Sequence, residues 1–225
     1  MFAFDECTSP LNSKEYTATA LDRTHRWIHR CIEAHKPYAD RQALFAIVQG
    51  GAYEDLRIKS ADYMGKLDVP GFGIGGSLGT SKEDMYHILE WTLPRLPDEK
   101  PRHLLGIGQI RDIFESVERG IDLFDCVIPT REARHKVVYT HKGKVAVRKM
   151  RSINEPIDAK CACIACAQNI TFATIAQLFT DRDPNAFLYT TAHNIQFFAD
   201  LMEEIRNSIK EGNFAKLKEE YYRYY

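Results

Sequence analysis

Over its first 125 residues the chain alternates between two apolar rhythms. Short, nearly unbroken apolar runs stand at Met1–Phe4, Ala43–Val48, Gly71–Ile74, His103–Ile107 and 121–125. Runs of this kind suit strands buried on both faces. Between them the apolar residues recur at helical spacing. Lys14 to Ala34 sets Leu21, Trp27, Ile28 and Cys31 near one stripe and stops before Pro37. Tyr53 to Leu67 does the same with Leu56, Ile58, Ala61 and Met64. Thr80 with Glu83 predicts a capping box for a helix reaching Trp91, and Ile110 to Arg119 predicts a helix closed by Gly120.

Strand and helix repeated with short connections predict a parallel sheet under crossover helices. No GxGxxG follows the first strand, as a doubly wound nucleotide-binding sheet would require, so the expected class is α/β of the (β/α)8 TIM type. About five of the eight strands of such a barrel are visible. The barrel is therefore expected to be incomplete, with further strands preceding the abrupt apolar start at Met1.

The pattern changes near residue 135. Val137–Thr140 and Lys144–Val147 flank His141-Lys142-Gly143, a hairpin signature. A Cys161-x-Cys163-x-x-Cys166 clip follows, with His193 at the start of a helical stretch that runs from Asn194 to Lys210. Three thiolates and one imidazole close a tetrahedral zinc site with no open position, which predicts a structural metal. The remaining residues, 211–225, form a charged, tyrosine-rich tail. The expected organisation is thus a barrel part over 1–135, a basic hairpin with a zinc-binding subdomain over 136–210, and the tail.

The composition is that of an ordinary globular protein, 44% hydrophobic and 27% charged, with a net charge of −1. That balance gives no global sign of a polyanionic partner. Locally it differs: between Arg131 and Arg151 stand Arg131, Arg134, Lys136, Lys142, Lys144, Arg148, Lys149 and Arg151 against the single acid Glu132. There is no apolar run long enough for a membrane helix and no signal-peptide pattern, so a cytoplasmic protein without a membrane partner is expected. In that compartment the six cysteines are not a disulfide framework, and Cys7, Cys31 and Cys126 are expected to be small buried residues.

Candidate chemistry gathers where the strands end. Asp5, Gln49, Gly75 with Gly76, Gly106 with Gly108, and Asp125 each follow an apolar run. In a β/α barrel these ends share one face. Asp125 is a carboxylate at a strand tip, expensive there unless paired or working. It precedes a segment Val127-Ile128-Pro129 that reads as extended, and then Arg131 and Arg134, whose planar forks match phosphate oxygens.

FDECT at 4–8, IVQGG at 47–51, GIGG at 73–76, LGIG at 105–108, FDCVIPTREAR at 124–134 and the CxCxxC…H pattern occur in this order. Together they resemble the tRNA-guanine transglycosylases, which exchange guanine at the tRNA wobble position for a precursor of queuosine. The resemblance covers nearly the whole chain. It implies a β/α barrel with a zinc-binding insertion, and one zinc ion held by Cys161, Cys163, Cys166 and His193. It implies Asp125 as nucleophile on the ribose, giving a covalent intermediate. Asp5 would meet the N–H edge of the base, Gln49 and the main chain of Gly76 its exocyclic carbonyl, and Gly75, Leu105 and Gly106 would line the pocket. Arg131 and Arg134 would hold tRNA phosphates, and the enzyme would be a homodimer. Cys7 within DECT is similar to the bacterial members, whose incoming base is 7-aminomethyl-7-deazaguanine (preQ1). The family's acid/base Asp belongs to a DSGG-type motif found nowhere in these residues, and GIGGSLG departs from the common bacterial GGLxVG. A catalytically incomplete tRNA-binding subunit is the alternative, and a barrel hydrolase with a catalytic metal is disfavoured by the closed ligand set.

Overall fold

In the computed structural model, which describes residues 1–225, the chain divides into two compact units, Met1–Cys126 and Val127–Tyr225. The first unit is built on a parallel sheet of β1 (Ala46–Val48), β2 (Phe72–Ile74), β3 (Arg102–Leu104) and β4 (Leu123–Phe124). The strands lie in chain order, in register Ala46↔Phe72↔Arg102 and Leu104↔Phe124. The connections are α1 (Lys14–His35), which precedes β1, then α2 (Glu54–Met64), α3 (Lys82–Thr92) and α4 (Ile110–Glu118). Each helix packs on the next one in sequence. A sheet whose order never reverses, with helices stacked neighbour on neighbour, is singly wound; a doubly wound sheet would send helices to both faces.

Strand alternation explains the core. Ala46, Val48, Phe72, Ile74 and Leu104 point to the helices, where they meet Ala61, Met64, Ile88 and Leu89, all fully buried. The opposite face carries Ile47, Gly73 and His103. A Cβ on Gly73 would come within 2.9 Å of Ile47 Cδ1 and of the Phe2 ring, so glycine there lets that ring lie across the sheet. Phe2 meets Phe45 and His103 edge-on, with centroids 5.7 and 5.1 Å apart.

Several local expectations are revised. Met1–Phe4 joins the sheet edge through the single parallel bridge Phe2↔Phe45, with Ala3 N–H donating to the Phe45 carbonyl at 3.0 Å. The capping box is one residue later than expected: Ser81 Oγ accepts from Asp84 N–H, and the Asp84 carboxylate accepts from Ser81 N–H. Val127-Ile128-Pro129 is not extended; it starts α5 (Ile128–Arg134), because proline in a first turn needs no N–H partner and has its φ already set. Cys7 is exposed, and Cys31 and Cys126 are half-buried, so none is the buried small residue expected.

The second unit contains α5, the hairpin β5 (Val137–Thr140) and β6 (Gly143–Ala146), and α6 (Ile164–Ala167), α7 (Phe172–Thr180), α8 (Asn185–Lys210) and α9 (Phe214–Tyr222). Its own core joins Val138, Val147, Phe172, Ile175 and Ala186 with Cys163 and Cys166. Asn194, fully buried on α8, ties three segments together. Its Oδ1 accepts from Tyr139 N–H, and its Nδ2 donates to the carbonyls of Pro129 and Val137, all at 3.0 Å. The tyrosine-rich tail is a docked helix: Tyr221 donates to Glu204 at 2.8 Å and Tyr225 to the Thr140 carbonyl at 2.5 Å. No helix of either unit is long and apolar enough to cross a membrane.

Candidate active site and metal centre

The strand ends of the first unit assemble one row of polar groups. At one end, Gln49 Nε2 donates to Asp5 Oδ2 at 2.5 Å, while the Gln49 Oε1, buried, has no hydrogen-bond partner. The Gln49 main chain is fixed from below by its N–H, which donates to the buried Ser60 hydroxyl at 3.1 Å. The Gln49 amide lies against the glycine pair that follows β2. A Cβ at Gly75 would sit 3.1 Å from its Nε2 and 3.3 Å from Leu105 Cδ1, and a Cβ at Gly76 would collide with its Oε1. Gly76 has φ +79°, so glycine is required there on both counts.

At the far end stands Asp125. Its Oδ1 accepts from the Gly106 N–H at 3.2 Å and pairs with His103 Nε2 at 2.9 Å. The Asp125 side chain is 57% exposed, so the burial penalty expected of a strand-tip carboxylate does not arise. What matters instead is its orientation, set by an imidazole rising from the strand beside it and by a backbone amide. Gly106, with φ +77°, sits in the left-handed region that favours glycine. Asp5, Gln49, Gly75, Gly76, Leu105, Gly106 and Asp125 are thus distributed over neighbouring ends of one sheet.

Beneath the row lies Arg57, in the first turn of α2 and fully buried. Its Nε donates to the Gly51 carbonyl at 2.7 Å, Nη1 to those of Val48 and Gly75 at 3.0 Å each, and Nη2 to that of Ser77 at 2.8 Å. Burial pushes its pKa down to about 9, partly offset by the Cys7 sulfur, so it remains charged at neutral pH. Sequence reasoning missed Arg57 and His103. The signal for Arg57 was present as a lone arginine on the apolar face of the helix that follows IVQGG. His103 was hidden in a strand whose alternation alone decides which way it points.

In the second unit the sulfur atoms of Cys161, Cys163 and Cys166 and a nitrogen of His193 all lie within 4.8 Å of one another. His193 Nδ1 is 3.5 Å from Cys166 Sγ and 3.7 Å from Cys163 Sγ. Ligands about 2.0–2.3 Å from a common centre stand roughly that far apart along a tetrahedral edge. His193 Nε2 donates to the Tyr139 carbonyl at 2.8 Å, which assigns the proton to that nitrogen and leaves the Nδ1 lone pair facing the sulfurs. The hydrogen bond with Cys166 lowers the Cys163 thiol and raises that of Cys166, and burial pushes Cys161 up to about 11. A divalent cation binding here would drive the protons from all three thiols. The group could hold a metal ion, with all four positions filled by protein.

His193 lies more than two turns inside α8 rather than at its start, because the helix begins at Asn185. Arg131 and Arg134 are exposed on α5, and Lys136, Lys142, Lys144, Arg148, Lys149 and Arg151 are exposed on and around the hairpin. Lys144 approaches Glu132 at 3.6 Å.

Comparison with known proteins places this arrangement. A family model described as Queuine tRNA-ribosyltransferase matches residues 1–225. A putative queuine tRNA-ribosyltransferase of Archaeoglobus fulgidus is 48% identical over 232 residues, covering 98% of this chain and 57% of the relative. The queuine tRNA-ribosyltransferases of Macrococcus caseolyticus and Bacillus subtilis are 43% and 41% identical, each covering 100% of this chain and 60% and 59% of the relative. The chain thus spans well under two thirds of the length of these relatives.

Proposed function

Since the chain belongs to the queuine tRNA-ribosyltransferase family, we propose that its protein is a glycosyltransferase that exchanges guanine in tRNA for a 7-deazaguanine base, with preQ1 as the incoming base. The observation that carries this reading is the row from the Asp5–Gln49 pair to Asp125, a base-edge reader at one end and an exposed carboxylate held by one oxygen at the other, all at the strand ends of one parallel sheet.

The chemistry follows from the groups. A planar base entering beside Gly75 and Gly76 would divide the Asp5–Gln49 pair. Asp5 turns its acceptors to the N–H edge, which frees the Gln49 Nε2 for the exocyclic carbonyl, and Gly76 offers close main-chain approach. Leu105 gives the pocket an apolar wall. Asp125 attacks the ribose anomeric carbon as the C–N bond to guanine breaks, and the bonding pair leaves with the base. The incoming base then displaces the carboxylate, and two inversions retain configuration. His103 and the Gly106 N–H hold Asp125 with one oxygen engaged and leave the other to attack. The wobble base must leave its stack to reach such a pocket. The exposed cations from Arg131 to Arg151 supply contacts for tRNA phosphates.

Cys161, Cys163, Cys166 and His193 would hold one zinc ion, which supplies no reaction chemistry and fastens α8 to the cysteine loop. The singly wound sheet is compatible with a place in a β/α barrel, and the protein would act in the cytoplasm as a homodimer. The test is incorporation of labelled guanine into unmodified tRNA by the full-length protein beside its Asp125→Ala variant. Label entering with the first and not the second is expected. Undiminished incorporation by the variant removes Asp125 from the chemistry.

A further inference from the structure

We propose that Arg57 is a positioning residue for base selectivity: its guanidinium holds the two strand ends that carry Gln49 and Gly76 at one fixed spacing, and so sets the preference for a purine bearing a 6-carbonyl. This rests on the base-exchange reading of the site.

The four acceptors of Arg57 are not scattered. Val48 and Gly51 flank Gln49, and Gly75 and Ser77 flank Gly76, so each reader is bracketed on both sides by carbonyls bound to one planar ion. Arg57 Nη1 alone bridges the two strand ends through Val48 and Gly75. The helix that delivers it is pressed against the same loop. A Cβ at Gly50, where φ is +140°, would fall 2.7 Å from the Arg57 main-chain nitrogen. Gln49 and Gly76 therefore cannot shift independently while the guanidinium is in place.

A buried cation is an expensive way to cap two strands, and all four of its acceptors named here are neutral carbonyls. Ladder hydrogen bonds hold β1 to β2 only as far as Gly75 N–H on the Val48 carbonyl. Beyond that point the chains diverge into loops, and the fork of Arg57 continues the spacing where the ladder ends. A lysine would keep the charge but has no planar fork with which to serve both loops.

Reading a carbonyl needs two donors, Gln49 Nε2 and the Gly76 main chain, to converge on one oxygen, so selectivity depends on their separation. The experiment uses Arg57→Lys and Arg57→Met in the full-length protein, with guanine and 2-aminopurine, which lacks the 6-carbonyl, as probes. Dissociation constants are measured by calorimetry and amide exchange by mass spectrometry. In Arg57→Lys the wild-type preference for guanine should fall about tenfold, mostly through weaker guanine binding, as expected for one misaligned hydrogen bond. Amides of 49–51 and 75–77 should exchange faster, while those at Leu105 and Gly106 should not. If Arg57→Met fails to fold, Arg57→Lys alone decides. A folded Arg57→Lys protein with the wild-type preference overturns the inference and leaves the pocket reading intact. Wild-type protein that binds neither base overturns both.

Discussion

Adding one methyl group at Gly76 tests the geometry of the base-reading end directly, with Gly106 as its internal control. Both glycines have nearly the same backbone, φ +79° and +77°. An L-residue in that region is strained by about 1 kcal/mol in either case. The surroundings differ. A Cβ at Gly106 meets nothing within 4 Å, whereas one at Gly76 collides with Gln49 Oε1. To relieve the collision the buried amide must turn, which breaks its 2.5 Å bond to Asp5 and leaves a buried polar group unpaired. That adds about 1–3 kcal/mol. Gly106→Ala should therefore destabilise by about 1 kcal/mol and Gly76→Ala by about 2–4 kcal/mol, read as urea midpoint shifts at unchanged slope. Guanine binding should weaken in Gly76→Ala at least tenfold. Equal midpoint shifts for the two variants would refute the packing of Gln49 against the glycine pair, and with it the argument that this amide faces the base.

Two further outcomes are expected. Removing metal with a chelator, or replacing His193 with alanine, should lower the melting temperature of residues 127–225 and abolish stoichiometric zinc on elemental analysis, because Cys163 and Cys166 belong to that unit's core; an unchanged melt in both would show that the metal does not hold this unit together. Stability should also fall as the pH drops from about 6.5 to about 4. Burial pushes His25 down to about 4, its Nε2 has no partner, and its ring is stacked on Tyr63 at 4.0 Å. In that window the unfolded chain takes up a proton that the folded chain refuses, so unfolding is favoured as protons are added, by roughly 1–2 kcal/mol once solvent is allowed for. His25→Phe should flatten this slope in urea titrations at several pH values, and an unaltered slope would assign the acid sensitivity elsewhere.

What could be read from the chain alone was whatever depends on neighbours in sequence. Apolar runs alternating with helical stripes gave the order of strands and helices, since periodicity is a local property. The cysteine clip with His193 gave the metal group, because thiolates so close together have few other uses. The strand-end residues Asp5, Gln49, Gly75, Gly76 and Asp125 were legible because apolar runs stop at them. Local rules also failed locally: Pro129 opens a helix where an extended segment was expected, and the cap is Ser81 with Asp84.

Tertiary structure decided everything that depends on which groups face one another. The direction of His103 toward Asp125 follows from the register of β3 against β4, and a one-residue slip would send it to the helix side. Arg57 passed unremarked in the sequence, and only the convergence of two strand ends supplies its four carbonyls. The tail gained its role through Tyr221 and Tyr225, whose partners Glu204 and Thr140 lie 17 and 85 residues away. Sequence fixes the kinds of elements through short-range sterics and periodicity; the pairing of polar groups across long loops is settled only when the sheet and helices have packed, because burial makes an unpaired group costly.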